Sequence, residues 1–148
     1  MIFFLGLVRS PIWRVLAALA VASCGRAQDF ITNCTWQTAV LNGTYLGAFC
    51  NNDNWVIYSY DWAWFDLSNC LTNDNGQLAV YESGYYGNTC AGCSIRPSPV
   101  DFILTCTCLY SGSSLANSSI DLNKIIWNHD GFLGCFERYG TRVERGPF

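Results

Sequence analysis

A thirteen-residue stretch that occurs twice constrains the fold of this chain more than any other feature. The first copy runs from Asp66 to Leu78 (DLSNCLTNDNGQL) and the second from Asp121 to Leu133 (DLNKIIWNHDGFL), 55 residues on and without a gap. The shared pattern is D-L-[SN]-x-x-x-x-N-x-[DN]-G-x-L. A repeat at fixed spacing makes each copy one supersecondary unit. Both copies have the same mechanical reading. Asp66-Leu67 and Asp121-Leu122 end a strand, and one tight helical turn follows. Asn75-Gly76 and Asp130-Gly131 then set a hairpin turn at positive φ, and Leu78 and Leu133 return the chain to the core.

Composition bounds what these units can build. The 148 residues suit one domain or a fused pair of small halves. With 51% hydrophobic and 13% charged residues the chain is folded rather than disordered. A net charge of -3 offers no basic field and argues against a nucleic-acid partner. Nine cysteines are too many for a reducing compartment unless they hold metal.

Residues 1–27 read as an export signal. Arg9 and Arg14 precede an apolar run, Val15 to Ala22, of h-region length. The run is too short for a bilayer, which takes roughly 20 apolar residues, so no stable membrane insertion is expected. Ala20-Val21-Ala22 is one cleavage site, and Ala27 before Gln28 is the favoured one because it removes Cys24. Eight cysteines then remain, all able to pair. The competing reading takes Val21-Ala22-Ser23-Cys24 as a lipoprotein box with Cys24 as the anchor. Either way the mature chain leaves the cytosol, and a secreted location is expected.

The domain is expected over 28–136, with repeats at about 30–85 and 86–136. Phe30 and Ile31 are read as starting a strand, Asn42-Gly43 as a hairpin turn, and Tyr45 to Cys50 as the return. Trp55 to Phe65 alternates. Val56, Tyr58, Tyr60, Trp62 and Trp64 form a wholly apolar or aromatic face, read as core or as a stacking platform for sugar rings. Glu82 to Asn88 is a polar connector, and the charged tail 137–148, without apolar pattern, reads as a frayed end. Asn42-Gly43-Thr44 and Asn117-Ser118-Ser119 are glycosylation sequons at Asn42 and Asn117; Asn33-Cys34-Thr35 is formally a third, hidden if Cys34 is bridged.

Cys34 and Cys50 flank the first turn. Cys90-Ala91-Gly92-Cys93 followed by Cys106 and Cys108 can be read as a zinc site. An exported chain with an even set of cysteines favours disulfides, and no metal is expected. Leu46 precedes Cys50, and Leu104 precedes Cys108, by four residues each, which makes Cys108 the repeat partner of Cys50 and Cys90 that of Cys34. The nested pairs Cys90–Cys108 and Cys93–Cys106 follow, and Cys70–Cys135 remains to tie the halves. Eight cysteines allow 105 pairings, so other connectivities stay open at this level.

These residues resemble the cyanovirin-N homology family, and within it the secreted fungal members, over about Phe30 to Phe136. The closest piece is Ser118-Ser119-Ile120-Asp121-Leu122-Asn123 followed by Asn128-His129-Asp130-Gly131-Phe132-Leu133. Cys108 to Leu122 spans 14 residues, as in the family, whereas Cys50 to Leu67 spans 17 and carries an insertion. The C-x-x-C and C-x-C pairs look like fungal members. The resemblance implies an all-β, disulfide-stapled fold of two tandem pseudo-symmetric repeats of antiparallel strands and hairpins, which exchange hairpins across a pseudo-twofold axis. It also implies a lectin that binds mannose-type oligosaccharides without a cofactor and without changing them, and a hairpin-exchanged dimer is one accessible assembly. One implied pocket combines Asn128, His129 and Asp130 with Thr32, Asn33, Asn51 and Asp53. The other combines Asn73, Asp74 and Asn75 with Thr89, Tyr110 and Ser111, with Asn75 in place of the usual carboxylate. Amides and carboxylates held in a rigid turn supply the paired donors and acceptors that sugar hydroxyls need. The same residues also suit a plain hairpin turn.

Catalysis is not expected. The one histidine, His129, is adjacent to Asp130 and no G-x-S-x-G motif occurs. No spacing of the eleven acids suggests the paired carboxylates of a glycosidase. The alternative to a lectin is a small secreted disulfide-rich protein that binds a cell wall or a host protein.

Overall fold

A computed structural model describes residues 30–54, 56 and 59–143. The expected export signal, the lipoprotein alternative at Cys24, and Trp55, Ile57 and Tyr58 lie outside the described residues. The architecture is antiparallel β throughout. The first half opens with a helical turn α1 (Phe30–Asn33), then β1 (Val40–Asn42), β2 (Tyr45–Asn51) and β3 (Tyr60–Asp66), and the hairpin β4 (Leu71–Asp74) and β5 (Gln77–Val80). The second half repeats this with β6 (Cys90–Pro97), β7 (Phe102–Tyr110) and β8 (Ser114–Asp121), and the hairpin β9 (Trp127–His129) and β10 (Phe132–Cys135). Two short strands follow, β11 (Arg138–Tyr139) and β12 (Thr141–Val143).

The repeated stretch folds as its sequence dictates. Asp66 and Asp121 end β3 and β8, and each carboxylate accepts the backbone N–H two residues on, Ser68 at 3.0 Å and Asn123 at 3.1 Å. Each thereby caps a 3-10 turn, Leu67–Asn69 or Leu122–Lys124, that buries its leucine. Asn75 and Gly76 then take φ of 48° and 88°, and Asp130 and Gly131 take 50° and 77°. Two consecutive positive φ values match the right-handed twist of a two-residue hairpin. Gly76 meets a second demand. A Cβ there would lie 2.8 Å from the Tyr110 Cβ, inside the other repeat.

Each hairpin docks on the opposite half. β5 lies against β7 and β8, while β9 lies against β2 and β10 against β3. The Leu78 N–H donates to Ser118 Oγ at 2.8 Å. The core therefore runs through both halves. It contains Phe30, Leu46, Phe65, Leu67, Leu71, Tyr86, Phe102, Leu104, Leu122, Ile126 and Leu133, each 0–1% exposed. The disulfides are Cys34–Cys50, Cys90–Cys108, Cys93–Cys106 and Cys70–Cys135, the pairing expected from the repeat. Cys90, Cys93, Cys106 and Cys108 are thus oxidised, which removes the zinc reading of that cluster.

The structure corrects three local expectations. Phe30–Asn33 is a helical turn rather than a strand. The buried Phe30 ring meets Phe102 edge-on at 4.8 Å, and the Ile31 N–H donates to Asn123 Oδ1 at 3.0 Å, so tertiary contacts override the local β-preference. On β3 the face in the common core is Ala63 and Phe65. Trp62 and Trp64 lie on the opposite face in an outer aromatic cluster, 5.5 Å apart and edge-on, with Phe49 4.8 Å from Trp62. Trp62 is buried there and cannot stack on a sugar, while Val56 is 71% exposed. The tail is not frayed as far as Val143. β11 pairs with β10, and β12 adds to the edge of β3 in the register Arg142↔Ala63. Tyr139 packs on Trp127 at 4.7 Å. Main-chain pairing at an edge needs no apolar period, which is why the sequence did not announce it. Residues 144–148 lie outside the described residues.

Within the polar connector, Tyr86 is drawn fully into the core, as the counterpart of Phe30 four residues before the equivalent cysteine. Its hydroxyl has no hydrogen-bond partner among the described residues. Burial first, and the Asp66 carboxylate second, push the phenol from 10.0 up to about 12. The fold holds the neutral phenol, so this contribution is complete below pH 10 and is lost as pH rises towards about 12. Tyr86→Phe is expected to keep neutral-pH stability within about 1 kcal/mol. It should also remove an alkaline loss of up to about 3 kcal/mol. Guanidinium unfolding at neutral pH and at about pH 11 measures both. Replacing Cys70 and Cys135 together by Ala should cost about 2–5 kcal/mol, because this bridge alone joins the two halves, and the same unfolding curves report it.

Candidate functional site

Two polar sites form where each hairpin turn meets the opposite half. At the first turn, Asn73 is a junction. Its Nδ2 donates to Leu109 O at 2.9 Å and to Thr89 Oγ1 at 3.0 Å, and its Oδ1 accepts the Gly76 N–H at 2.7 Å. Asn75 Oδ1 accepts the Ser111 N–H at 3.2 Å. Asn73, Asn75, Thr89 and Ser111 are thus joined by hydrogen bonds, and Gly76 presses on Tyr110. Asp74 is exposed at the tip. A shallow cleft of about 400 Å³ adjoins it, lined by Thr72, Asn73, Asp74, Ala79, Val80 and Tyr81.

The second turn repeats the arrangement. Asn128, 4% exposed, donates through Nδ2 to Asn51 O at 2.8 Å, the counterpart of the Asn73 bond to Leu109 O. Asn128 Oδ1 has no partner among the described residues. Asp53 is the positional equivalent of Ser111, one cysteine repeat earlier, and both are left-handed, with φ of 57° and 42°. Asp53 N–H donates to Asn51 Oδ1 at 3.0 Å, and Asp53 Oδ2 accepts the Asp130 N–H at 3.2 Å. Asn51, Asp53, Asn128 and Asp130 therefore converge. His129 projects from the tip and is exposed. Thr32 and Asn33 lie on α1, which packs against β9, but neither hydrogen-bonds to the turn among the described residues.

The two sites differ in what holds the side chain at the turn. Asn75 spends its single acceptor oxygen on the Ser111 N–H. Asp130 instead meets a cation. Arg142 Nη1 donates to Asp130 O at 2.7 Å and lies 3.3 Å from Asp130 Oδ2. Arg142 Nε lies 3.5 Å from Asp61 Oδ2, and the guanidinium sits 4.8 Å above the Phe132 ring. Asp61 is buried and also accepts from Asn52 Nδ2 at 3.1 Å. Sequence reasoning missed Arg142, Asp61 and Asn52. One signal was present: a carboxylate on the Ala63 and Phe65 face of β3 has to be paired when buried.

A further cleft, of about 360 Å³, opens between the β1–β2 turn and the start of β6, lined by Leu41, Gly43, Thr44, Tyr86, Ala91 and Gly92. It lies away from both turns and offers neither a carboxylate nor an amide side chain.

The CVNH domain model matches residues 30–135. Several solved structures share the fold. A MoCVNH3 variant in complex with (N-GlcNAc)4 is 18% identical with a TM-score of 0.63, over 76% of this chain and 99% of that one. The CVNH protein of Gibberella zeae is 17% identical with a TM-score of 0.60, over 72% and 96%. Microvirin, in complex with mannobiose, is 21% identical with a TM-score of 0.60, over 73% and 98%. Among curated protein sequences none matches this chain. The duplicated hairpins, their exchange across the two halves and the family match over most of the chain agree, and the chain belongs to the CVNH domain family.

Proposed function

We propose that this chain is a secreted, non-catalytic lectin that binds mannose-type oligosaccharides at its two turns, with the second turn dominant. The observation that carries this reading is the pseudo-symmetric pair of turn sites. In each, an Asn amide and a left-handed turn residue are locked against the opposite half, so polar groups face solvent at fixed geometry. Fixed donors and acceptors lower the ordering cost that binding a flexible sugar incurs. Solved relatives bind oligosaccharides of two kinds, mannobiose for microvirin and (N-GlcNAc)4 for the MoCVNH3 variant. Four disulfides favour an oxidising compartment and so a secreted chain. Asn42 and Asn117 are exposed, as glycan addition at their sequons requires.

The ranking of the pockets follows from acceptor chemistry. Asp130 brings a carboxylate whose Oδ1 makes no hydrogen bond among the described residues, while Asn75 brings one amide oxygen that already accepts the Ser111 N–H. Charge-assisted hydrogen bonds are roughly twice as strong as neutral ones. Losing one should cost about 1.5–3 kcal/mol, roughly ten- to a hundredfold in affinity. Asp130→Ala is therefore expected to weaken binding far more than Asn75→Ala, with the fold retained in both. Calorimetric titration with a mannose oligosaccharide measures it; equal losses, or a larger loss for Asn75→Ala, would reverse the ranking. A glycan array decides the class. Mannose-inhibitable signal supports the reading, signal only on chito-oligosaccharides moves the specificity, and a blank array overturns it in favour of a protein-binding role.

A further inference from the structure

We propose that the C-terminal strand β12 is a working part of the second-turn pocket, and that Arg142 is the positioning residue that aims the Asp130 carboxylate at the ligand. The inference rests on the lectin reading above but is carried by different contacts. β12 pairs with β3 so that Arg142 stands opposite Ala63. Directly opposed residues of an antiparallel pair project to the same side of the sheet, and Asp61, two residues from Ala63, shares that side. The side chain thus emerges beside a carboxylate that is 9% exposed and needs a cation.

From there the guanidinium spans three residues, Asp61 on β3 and Asp130 and Phe132 at the turn. Nε faces Asp61, and Nη1 bridges the backbone oxygen and the Oδ2 carboxylate oxygen of Asp130. Its plane covers the Phe132 ring. An Arg fork fixes partners on several sides at once, which a lysine ammonium on a flexible stem does not. The result holds one oxygen of Asp130 and leaves Oδ1 for a sugar hydroxyl. Closure against Asn52 is tight as well: a Cβ on Gly131 would lie 3.0 Å from Arg142 Cδ and 3.2 Å from Asn52 Cβ. At the first turn the corresponding closure is the neutral bond from the Ser111 N–H to Asn75 Oδ1. One pocket is held by charge and the other by an amide, so a change at Arg142 should be felt at one pocket only.

The test uses the whole chain, as wild type, Arg142→Gln and Arg142→Lys. Amide hydrogen exchange is recorded on the free proteins. Mannobiose is then titrated by NMR, following Asp130 and Gly131 for one pocket and Asn75 and Gly76 for the other. Arg142→Gln is expected to speed exchange across 128–133 about tenfold or more while leaving 73–78 unchanged. It should weaken mannobiose at the second turn by about tenfold or more, with the first turn within about twofold. Arg142→Lys should recover part of both effects. Equal change at both turns would mark a general loss of stability and overturn the proposal. So would unaltered exchange across 128–133, or a tighter second-turn pocket in Arg142→Gln, which would make the guanidinium a plug. If the wild type responds to mannobiose at neither turn, the mannose reading fails by itself, and the exchange pattern still decides whether Arg142 positions the turn.

Discussion

Two side-chain amides hold the architecture together. Asn73 Nδ2 donates to Leu109 O, and Asn128 Nδ2 donates to Asn51 O, each reaching from a hairpin into the opposite half. The carbonyls they satisfy lie just past Cys108 and Cys50, where the pairing of β7 with β6 ends at Cys90↔Cys108 and that of β2 with the first half's start ends at the Cys34↔Cys50 bridge. The Asn128 bond is part-buried, so there the amide also spares the cost of an unpaired carbonyl, whereas the Asn73 bond lies at the surface. Neither repeat completes its own sheet ends or covers its own apolar face. Leu78 and Leu133 are buried against the other half, and a separated repeat would expose them. Exchange is therefore a condition of stability here, and Cys70–Cys135 makes it covalent.

How far the sequence carried the fold depended on where each instruction was written. Asn75-Gly76, Asp130-Gly131 and Asn42-Gly43 specify their turns locally, because few residues tolerate positive φ. The Asp66 and Asp121 caps are local too, and the spacing of the cysteines carried the bridges. The helical turn at Phe30, the inward face of β3 and the strands after Phe136 depend on what packs against them. Phe30 answers to Phe102 and Asn123, and β12 answers to the free edge of β3. No window of neighbouring residues contains those partners. The turn sites fell between these cases. Asn73, Asn75, Asn128 and Asp130 were legible through the repeat, while Arg142 was hidden in a charged tail with no pattern.

The halves have diverged in a way that repeat symmetry makes plain. Ser111 and Asp53 occupy equivalent left-handed positions, yet one offers its backbone N–H to the turn and the other a carboxylate. The second-turn site pairs Asp61 and Asp130 with one guanidinium and sets Asp53 on the Asp130 N–H, while at the first turn only Asp74 is a carboxylate among the grouped residues. Ion pairs at partly exposed positions weaken with salt, whereas the amide closure of the first turn has no net charge to screen.

The connection between β2 and β3 in the first half and the added C-terminal strand meet at Asp61. Cys50 to Leu67 spans 17 residues against 14 for Cys108 to Leu122, and the extra length falls in the segment that carries Asn52, Asp53 and Ser59 ahead of Asp61. Asn52 Nδ2 bonds both Ser59 Oγ and Asp61 Oδ2, so the end of β2 is tied to the start of β3 beside a buried carboxylate. One amide does not neutralise a buried carboxylate. Arg142 does, and it arrives only because β12 pairs along β3. Without β12 the edge of β3 would lie open and Asp61 would lack a cation; without Asp61, Arg142 would have no buried partner to fix it. The same side chain then extends to Asp130, so a stabilising pair in the wall of the sheet also sets the geometry of the turn.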